Sequence, residues 1–214
     1  TPNSLEIYAG LINKYPEITV FHGQTEVIDE NGHVTEYLEP RFEKESVWQL
    51  IYYRWAGLGR QQFVGDFCYN REALIKDGGF YNLPLAWGSD DITACIAASK
   101  NGIVNSQDTC FQYRKNRHTI SNSENADIKI KALLLQRKWY EDFLIKQEPM
   151  TEKERVMQSL LQQLLPQHFE FHTKIIICDN MKTNKCRLFH WLSLQRSLKL
   201  SKLQILKQFI KAIS

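Results

Sequence analysis

The chain has 214 residues, enough for one large domain or two small ones, and its 43% apolar and 24% charged residues are those of a globular protein able to bury a core. No apolar run approaches the roughly 20 residues that span a bilayer, and Thr1-Pro2-Asn3-Ser4 does not resemble a signal peptide, so neither a transmembrane nor a secreted class is expected. The net charge of +3 is uneven: residues 181–214 carry +8 with no Asp or Glu, which leaves −5 on the first 180 residues.

In chain order, residues 4–14 read as a short helix capped by Ser4 and ended by Tyr15-Pro16. Residues 18–22 read as a strand, followed by residues 25–29, the turn Glu30-Asn31-Gly32 and residues 33–38, and Asn-Gly between two β-prone runs signals a hairpin. Residues 45–58 look helical and residues 62–69 look like a short strand. Residues 70–76 form a helix closed by Gly78-Gly79. A helix to Lys100 is stopped by Asn101-Gly102, with strands at 103–105 and 109–114. Helices and strands interleave, which makes this part α/β.

Beyond residue 123 the pattern turns helical, with helices at 126–146 and 152–165 and Thr151 as the cap of the second. Pro166 is expected to break the chain, and Lys174-Ile175-Ile176-Ile177-Cys178 to form a buried strand. In the tail, Leu198, Leu203, Ile205, Leu206, Phe209, Ile210 and Ile213 recur near helical spacing among lysines. Such a helix over residues 198–214 suits an anionic membrane surface, or it packs on the body with its lysines solvated. The five cysteines, Cys68, Cys95, Cys110, Cys178 and Cys186, show no C-x-x-C pair and are odd in number, so reduced thiols and a cytoplasmic setting are expected, and the basic tail adds the expectation of peripheral contact with the inner face of the cell membrane.

The candidate chemistry lies in Trp87-Gly88-Ser89-Asp90-Asp91, where two carboxylates stand at the start of an apolar helix. Free N–H groups and the helix dipole stabilise ionised carboxylates there, which suits a general base. Equally, Ser89 or Asp90 serves as an ordinary helix cap.

The run Phe63-Val64-Gly65-Asp66-Phe67-Cys68-Tyr69-Asn70-Arg71-Glu72-Ala73-Leu74, then Asp77-Gly78-Gly79-Phe80, then Leu83-Pro84-Leu85-Ala86-Trp87-Gly88-Ser89-Asp90-Asp91, resembles the acceptor-side half of family 2 glycosyltransferases of the GT-A fold. In that family a strand leads into R-E-A-L, a helix ends in G-G-F, and a turn bears a Glu-Asp pair. Pro2-Asn3-Ser4-Leu5-Glu6 and Tyr15-Pro16-Glu17-Ile18 resemble the helix and strand after the family's metal-binding D-x-D, and Tyr113-Arg114 to Ile120-Ser121 resembles its closing segment. The resemblance covers residues 1–123. It implies an incomplete GT-A-like, Rossmann-like mixed sheet with helices over residues 1–123, which the residue pattern continues with a helical extension over 124–180 and a basic amphipathic tail over 181–214.

The resemblance further implies inverting transfer of a sugar from a nucleotide-sugar donor to a saccharide or lipid-linked acceptor, in cell-surface polysaccharide synthesis. By position Asp90 matches the family's general base. Ser89 replaces its glutamate and keeps a capping or hydrogen-bonding role, and Asp91 is a neighbouring alternative. A divalent Mg²⁺ or Mn²⁺ is implied, with ligands mainly upstream of Thr1, so the chain is expected to be a C-terminal part that is inactive alone.

Trp87 and Tyr81 are candidates to stack on an acceptor sugar or to be core, and Asp66 to line the acceptor pocket or only to accept backbone hydrogen bonds. Arg114, Arg117 and His118 are candidates for phosphate contacts, or solvated loop charges. The i, i+4 pair His168 and His172 would suit a metal only on a helix, and an extended segment is expected there. A noncatalytic sugar- or partner-binding module is the alternative function. A basic nucleic-acid binder, resting on the tail alone, ranks last, and no nucleic acid is expected as partner.

Overall fold

Val20–Ile28, rich in β-branched and aromatic residues, forms strand β1 at the centre of a mixed sheet in a computed structural model that describes residues 1–56, 60–115 and 125–213. β2 (Val34–Tyr37) returns antiparallel along β1 through the expected turn, where Asp29 Oδ1 accepts from the Asn31 and His33 amides. On the same edge the short β4 (Phe67–Tyr69) pairs antiparallel with the start of β1. β5 (Ile103–Arg114) runs parallel to β1 on its other side, and β3 (Lys44–Glu45) closes that edge antiparallel to β5.

Helix α1 (Ser4–Lys14) precedes β1, α2 (Val47–Trp55) follows β3, and α3 (Arg71–Lys76) and α4 (Ser89–Asn101) lead to β5. After them come α5 (Ala126–Lys146), α6 (Glu152–Thr183), α7 (Arg187–Ser193) and α8 (Lys202–Ile213). The chain is therefore mixed α/β, and among the described residues no helix is long and apolar enough to cross a membrane.

Several boundaries differ from the sequence-based expectation for identifiable reasons. Ser4 does not cap α1: its hydroxyl donates back to the Thr1 carbonyl at 2.7 Å, and the helix lacks a side-chain cap. α2 starts at Val47 and not at residue 45, because Ser46 and Gln49 form a reciprocal capping box and leave Lys44 and Glu45 to pair with β5; residues 57 and 58 of the expected helix lie outside the described residues. Residues 62–69 are mostly not strand, since Val64–Asp66 forms a 3₁₀ turn. The two strands expected at 103–105 and 109–114 are one, interrupted in register where Ser106 Oγ accepts from the Gln24 amide at 2.8 Å and donates to the Asp108 carbonyl at 2.7 Å.

The largest departure is α6, which runs helically through Pro166 and through residues 174–178. Met157, Leu161, Leu165, Phe169, Thr173, Ile177 and Met181 are all buried, so one stripe at a spacing of four continues past the proline. Burial of that stripe outweighs the hydrogen bond lost at Pro166. His168 and His172 are therefore helical and their rings lie 4.6 Å apart.

The chain folds as two compact units. The first contains residues 1–82, 89–117 and 147–161, hence the whole sheet with α1 to α4; the second contains residues 83–88, 118–146 and 162–214. In the first, Ile18, Phe21 and Val104 form a core cluster under Tyr8, Leu11 and Tyr15. α2 packs on α4 and has Trp48, Leu50 and Ile51 among its buried residues.

In this unit a Cβ on Gly23 would meet Tyr8 Oη at 2.4 Å and Cys110 Cβ at 2.6 Å. Gly23→Ala therefore forces α1 off β1 and lowers stability by about 1–3 kcal/mol, read from urea unfolding midpoints. The second unit buries Tyr140, Phe169, Met181, Trp191 and Ile205, and the Trp191 indole N–H donates to Asn180 Oδ1 at 3.2 Å.

Candidate functional site

The turn before α4 has a strained backbone. Leu85 and Ala86 adopt positive φ of 58° and 51°, and Gly88 has φ of 80°. Left-handed geometry at a residue with a side chain costs on the order of 1 kcal/mol or more, and strain of this kind concentrates at functional segments. Trp87, half-buried in the second unit, has its carbonyl held by Gln136 Nε2 at 2.8 Å, and Lys129 Nζ lies 4.9 Å from its ring centre. One face of the indole is thus occupied by a cation.

α4 starts at Ser89, which places Ser89, Asp90 and Asp91 inside its first turn. This corrects the capping reading: Gly88, not Ser89 or Asp90, stands before the helix. The Ser89 hydroxyl is buried with no hydrogen-bond partner among the described residues, so it does not take the expected capping or hydrogen-bonding role.

The two aspartates occupy different environments. Asp91 Oδ2 accepts from Arg54 Nη2 at 3.0 Å, and its Oδ1 accepts from Gln62 Nε2. Arg54 in turn donates to the Arg60 carbonyl at 3.2 Å, so the last turn of α2 holds Asp91 in place. No side chain among the described residues hydrogen-bonds Asp90. Burial pushes its carboxyl up to about 6, with the neighbouring Asp91 charge adding to the rise and the Asp91 backbone N–H, then Arg54, opposing it. Tyr69 lies close enough for the Asp90 charge, after burial itself, to raise its phenol, whose oxygen is buried without a partner among the described residues. The sheet unit therefore presents one carboxylate paired with an arginine and one, hydrogen-bonded only by backbone N–H groups, of raised basicity.

Arg60 and Glu45 support this pair from behind. Arg60 forks onto Glu45 with distances of 2.7 and 2.8 Å and stacks 4.8 Å from the Tyr53 ring centre. The fork ties Arg60, whose carbonyl accepts from Arg54, to Glu45 at the start of α2.

Asp66 is fully buried in the 3₁₀ turn and not in a strand. Its Oδ2 accepts from the Phe63 amide at 3.0 Å and the Thr25 hydroxyl at 3.2 Å, and His22 Nε2 lies 3.3 Å away. That geometry fits the internal hydrogen-bonding role and leaves no solvent-facing carboxylate to line a pocket. Burial, with Arg41 adding, drives His22 down to about 4 against the opposing pull of Asp66, so the ring is neutral at pH 7.

Tyr81 is half-buried, and its amide donates to Thr93 Oγ1 at 3.0 Å, which in turn bonds the Ser89 carbonyl at 2.6 Å. Arg114 ends β5 and donates to the Asp29 and Glu30 carbonyls, each at 2.7 Å, which engages its guanidinium in the hairpin turn. Arg117 and His118 lie outside the described residues.

Sequence reasoning missed Arg54, Gln62 and Tyr69. Arg54 has one visible signal, an arginine at the end of an amphipathic helix beside Trp55, but nothing in its local sequence points to Asp91. Among the described residues no three His, Cys, Asp or Glu side chains gather as a metal would need, and Asp91 is already neutralised by Arg54. The described residues therefore do not fit a divalent-cation site by themselves. Comparison with known protein families, with curated sequences and with solved structures gives no match to the chain.

Proposed function

We propose that this chain is the acceptor-side part of an inverting glycosyltransferase, in which Asp90 is the general base for a saccharide or lipid-linked acceptor. The supporting observation is the split between the aspartates: Asp91 is paired with Arg54 and held by Gln62, while Asp90 has no side-chain partner among the described residues and its carboxyl is raised to about 6. An acceptor hydroxyl gives up its proton only as its bond to the anomeric carbon forms, so a carboxylate must receive it at that moment. A base titrating near 6 is mostly ionised at neutral pH and still basic enough to help, a contribution of about 10² to 10⁴ in rate. The nucleotide-sugar donor is held, in this reading, by a segment preceding Thr1. The motif resemblance supplies the reaction class, and the Asp90 environment supplies the residue.

Asp91 is a positioning residue, acting through its charge on Asp90 and through its tie to α2. Asp91→Asn in the protein carrying its donor-binding segment leaves measurable transfer, because the base remains. Removing the Asp91 charge moves the acid limb of the rate profile below 6, since that charge helps to raise Asp90. Should Asp91→Asn abolish transfer while Asp90→Asn leaves it near native, the roles are reversed.

A further inference from the structure

The sequence places the tail's apolar residues in one amphipathic set, but the structure divides them between two opposite faces. α8 begins at a reciprocal pair in which the Gln204 amide donates to Ser201 Oγ at 3.2 Å and the Ser201 amide donates to Gln204 Oε1 at 2.7 Å. Ile205 and Gln208 are buried and fasten one face of the helix to the second unit. Leu198 is also buried but lies before the helix. The other face leaves Leu203, Leu206, Ile210 and Ile213 at 63%, 39%, 61% and 49% exposure.

These four follow an i, i+3, i+7, i+10 spacing, which at about 100° per residue confines them to one stripe within roughly 80° of arc. Lys202 falls on one border of the stripe, and Lys207 and Lys211 on the other. A single exposed aliphatic needs no explanation, but a continuous row of four on a helix already anchored from behind is unusual for a surface meant for water. Lysines along both borders are suited to reach outward from a helix lying in an interface, with their stems over the apolar zone and their ammonium groups among anionic headgroups.

We propose that this face of α8 docks on the surface of an anionic phospholipid bilayer. The occupant is chosen by charge: α8 carries Lys202, Lys207 and Lys211 along the borders of the stripe and no acidic side chain, so an anionic surface with an apolar layer beneath it matches both parts of the face. The proposal does not depend on the glycosyltransferase reading, because its readout is partition onto lipid and not sugar transfer.

The test is sedimentation of the 214-residue chain with vesicles of phosphatidylcholine containing about one-third phosphatidylglycerol, against phosphatidylcholine alone. Binding to the anionic vesicles that weakens with salt is expected, with little binding to the neutral ones. Lys202→Gln with Lys207→Gln lowers partition about 25-fold, at about fivefold per lysine, and flattens the salt dependence. Leu203→Ser with Ile210→Ser lowers it about tenfold or more while the thermal melt stays native, because both side chains are exposed. If that pair perturbs the melt, the lysine pair decides. Equal binding to neutral vesicles, unchanged partition of the lysine variant, or a concentration-dependent dimer or duplex-DNA complex in place of vesicle binding overturns the proposal.

Discussion

Asp90→Asn is expected to abolish transfer and at the same time to make the protein more stable. The rate loss is about 10² to 10⁴, the usual contribution of a general base. The stability gain follows from linkage. In the unfolded chain Asp90 titrates near its ordinary value of 3.8, whereas burial in the fold raises it to about 6. Between those two values the native state holds the proton more tightly than the unfolded one, so stability falls as pH rises through the window and stays lower above it. At pH 7 the ionised Asp90 thus costs the fold on the order of 1–3 kcal/mol, an amide removes that cost, and Tm rises by about 2–8 °C. The gain shrinks as pH falls through 6 towards 3.8 and is gone well below 3.8, where Asp90 is protonated in both states. Thermal melts of wild type and variant at pH 4 and pH 7 check the sign. A buried carboxylate that weakens the fold at neutral pH fits a role other than folding, and catalysis is the role proposed.

Glu45→Ala is the variant expected to damage the fold most. Glu45 is 1% exposed, and Arg60 forks onto both of its carboxylate oxygens from a side chain only 8% exposed. Removing the carboxylate leaves a guanidinium charge largely buried without its partner, a loss of about 3–5 kcal/mol. That is a large part of the total stability of a typical domain, so urea unfolding should show a midpoint shift of a few molar or a chain unfolded at rest. Replacing both members, Glu45→Leu with Arg60→Met, is expected to recover most of the loss, because two apolar side chains of similar volume need neither desolvation nor pairing. Recovery in the double variant separates an orphaned charge from a simple packing defect.

The elements marked by local chemistry were legible in the sequence, and those set by distant contacts were not. The Asn31-Gly32 turn and the Gly78-Gly79 helix end follow from neighbours within a few residues, while Asn70, read as the first helical residue, instead caps α3 by accepting from the Ala73 amide. The isoleucine run at 175–177 satisfied the local rule for a strand, and only the stripe from Met157 to Met181, continuous across Pro166, reveals the helix. At the candidate site the aspartate pair was visible because it stands beside glycine at a helix start. Its differentiation was not visible, because Arg54 lies 37 residues from Asp91 and Gln62 lies 29 residues from it. The same limit explains Asp66, whose partners Thr25 and His22 come from the strand beside it. In the tail, helical spacing gave the amphipathic character but not the division into a buried face at Ile205 and an exposed one at Leu203 and Ile210.

The central claim is that Asp90 receives the acceptor's proton, and the pH dependence of kcat/KM for transfer, in the protein with its donor-binding segment, tests it most directly. Wild type should lose activity on the acid side with a midpoint near 6, the value set by burial and the Asp91 charge. Asp90→Asn should retain only a small residual rate without that limb. A wild-type limb at the ordinary aspartate value, or an Asp90→Asn enzyme that keeps the limb at near-native turnover, would contradict it.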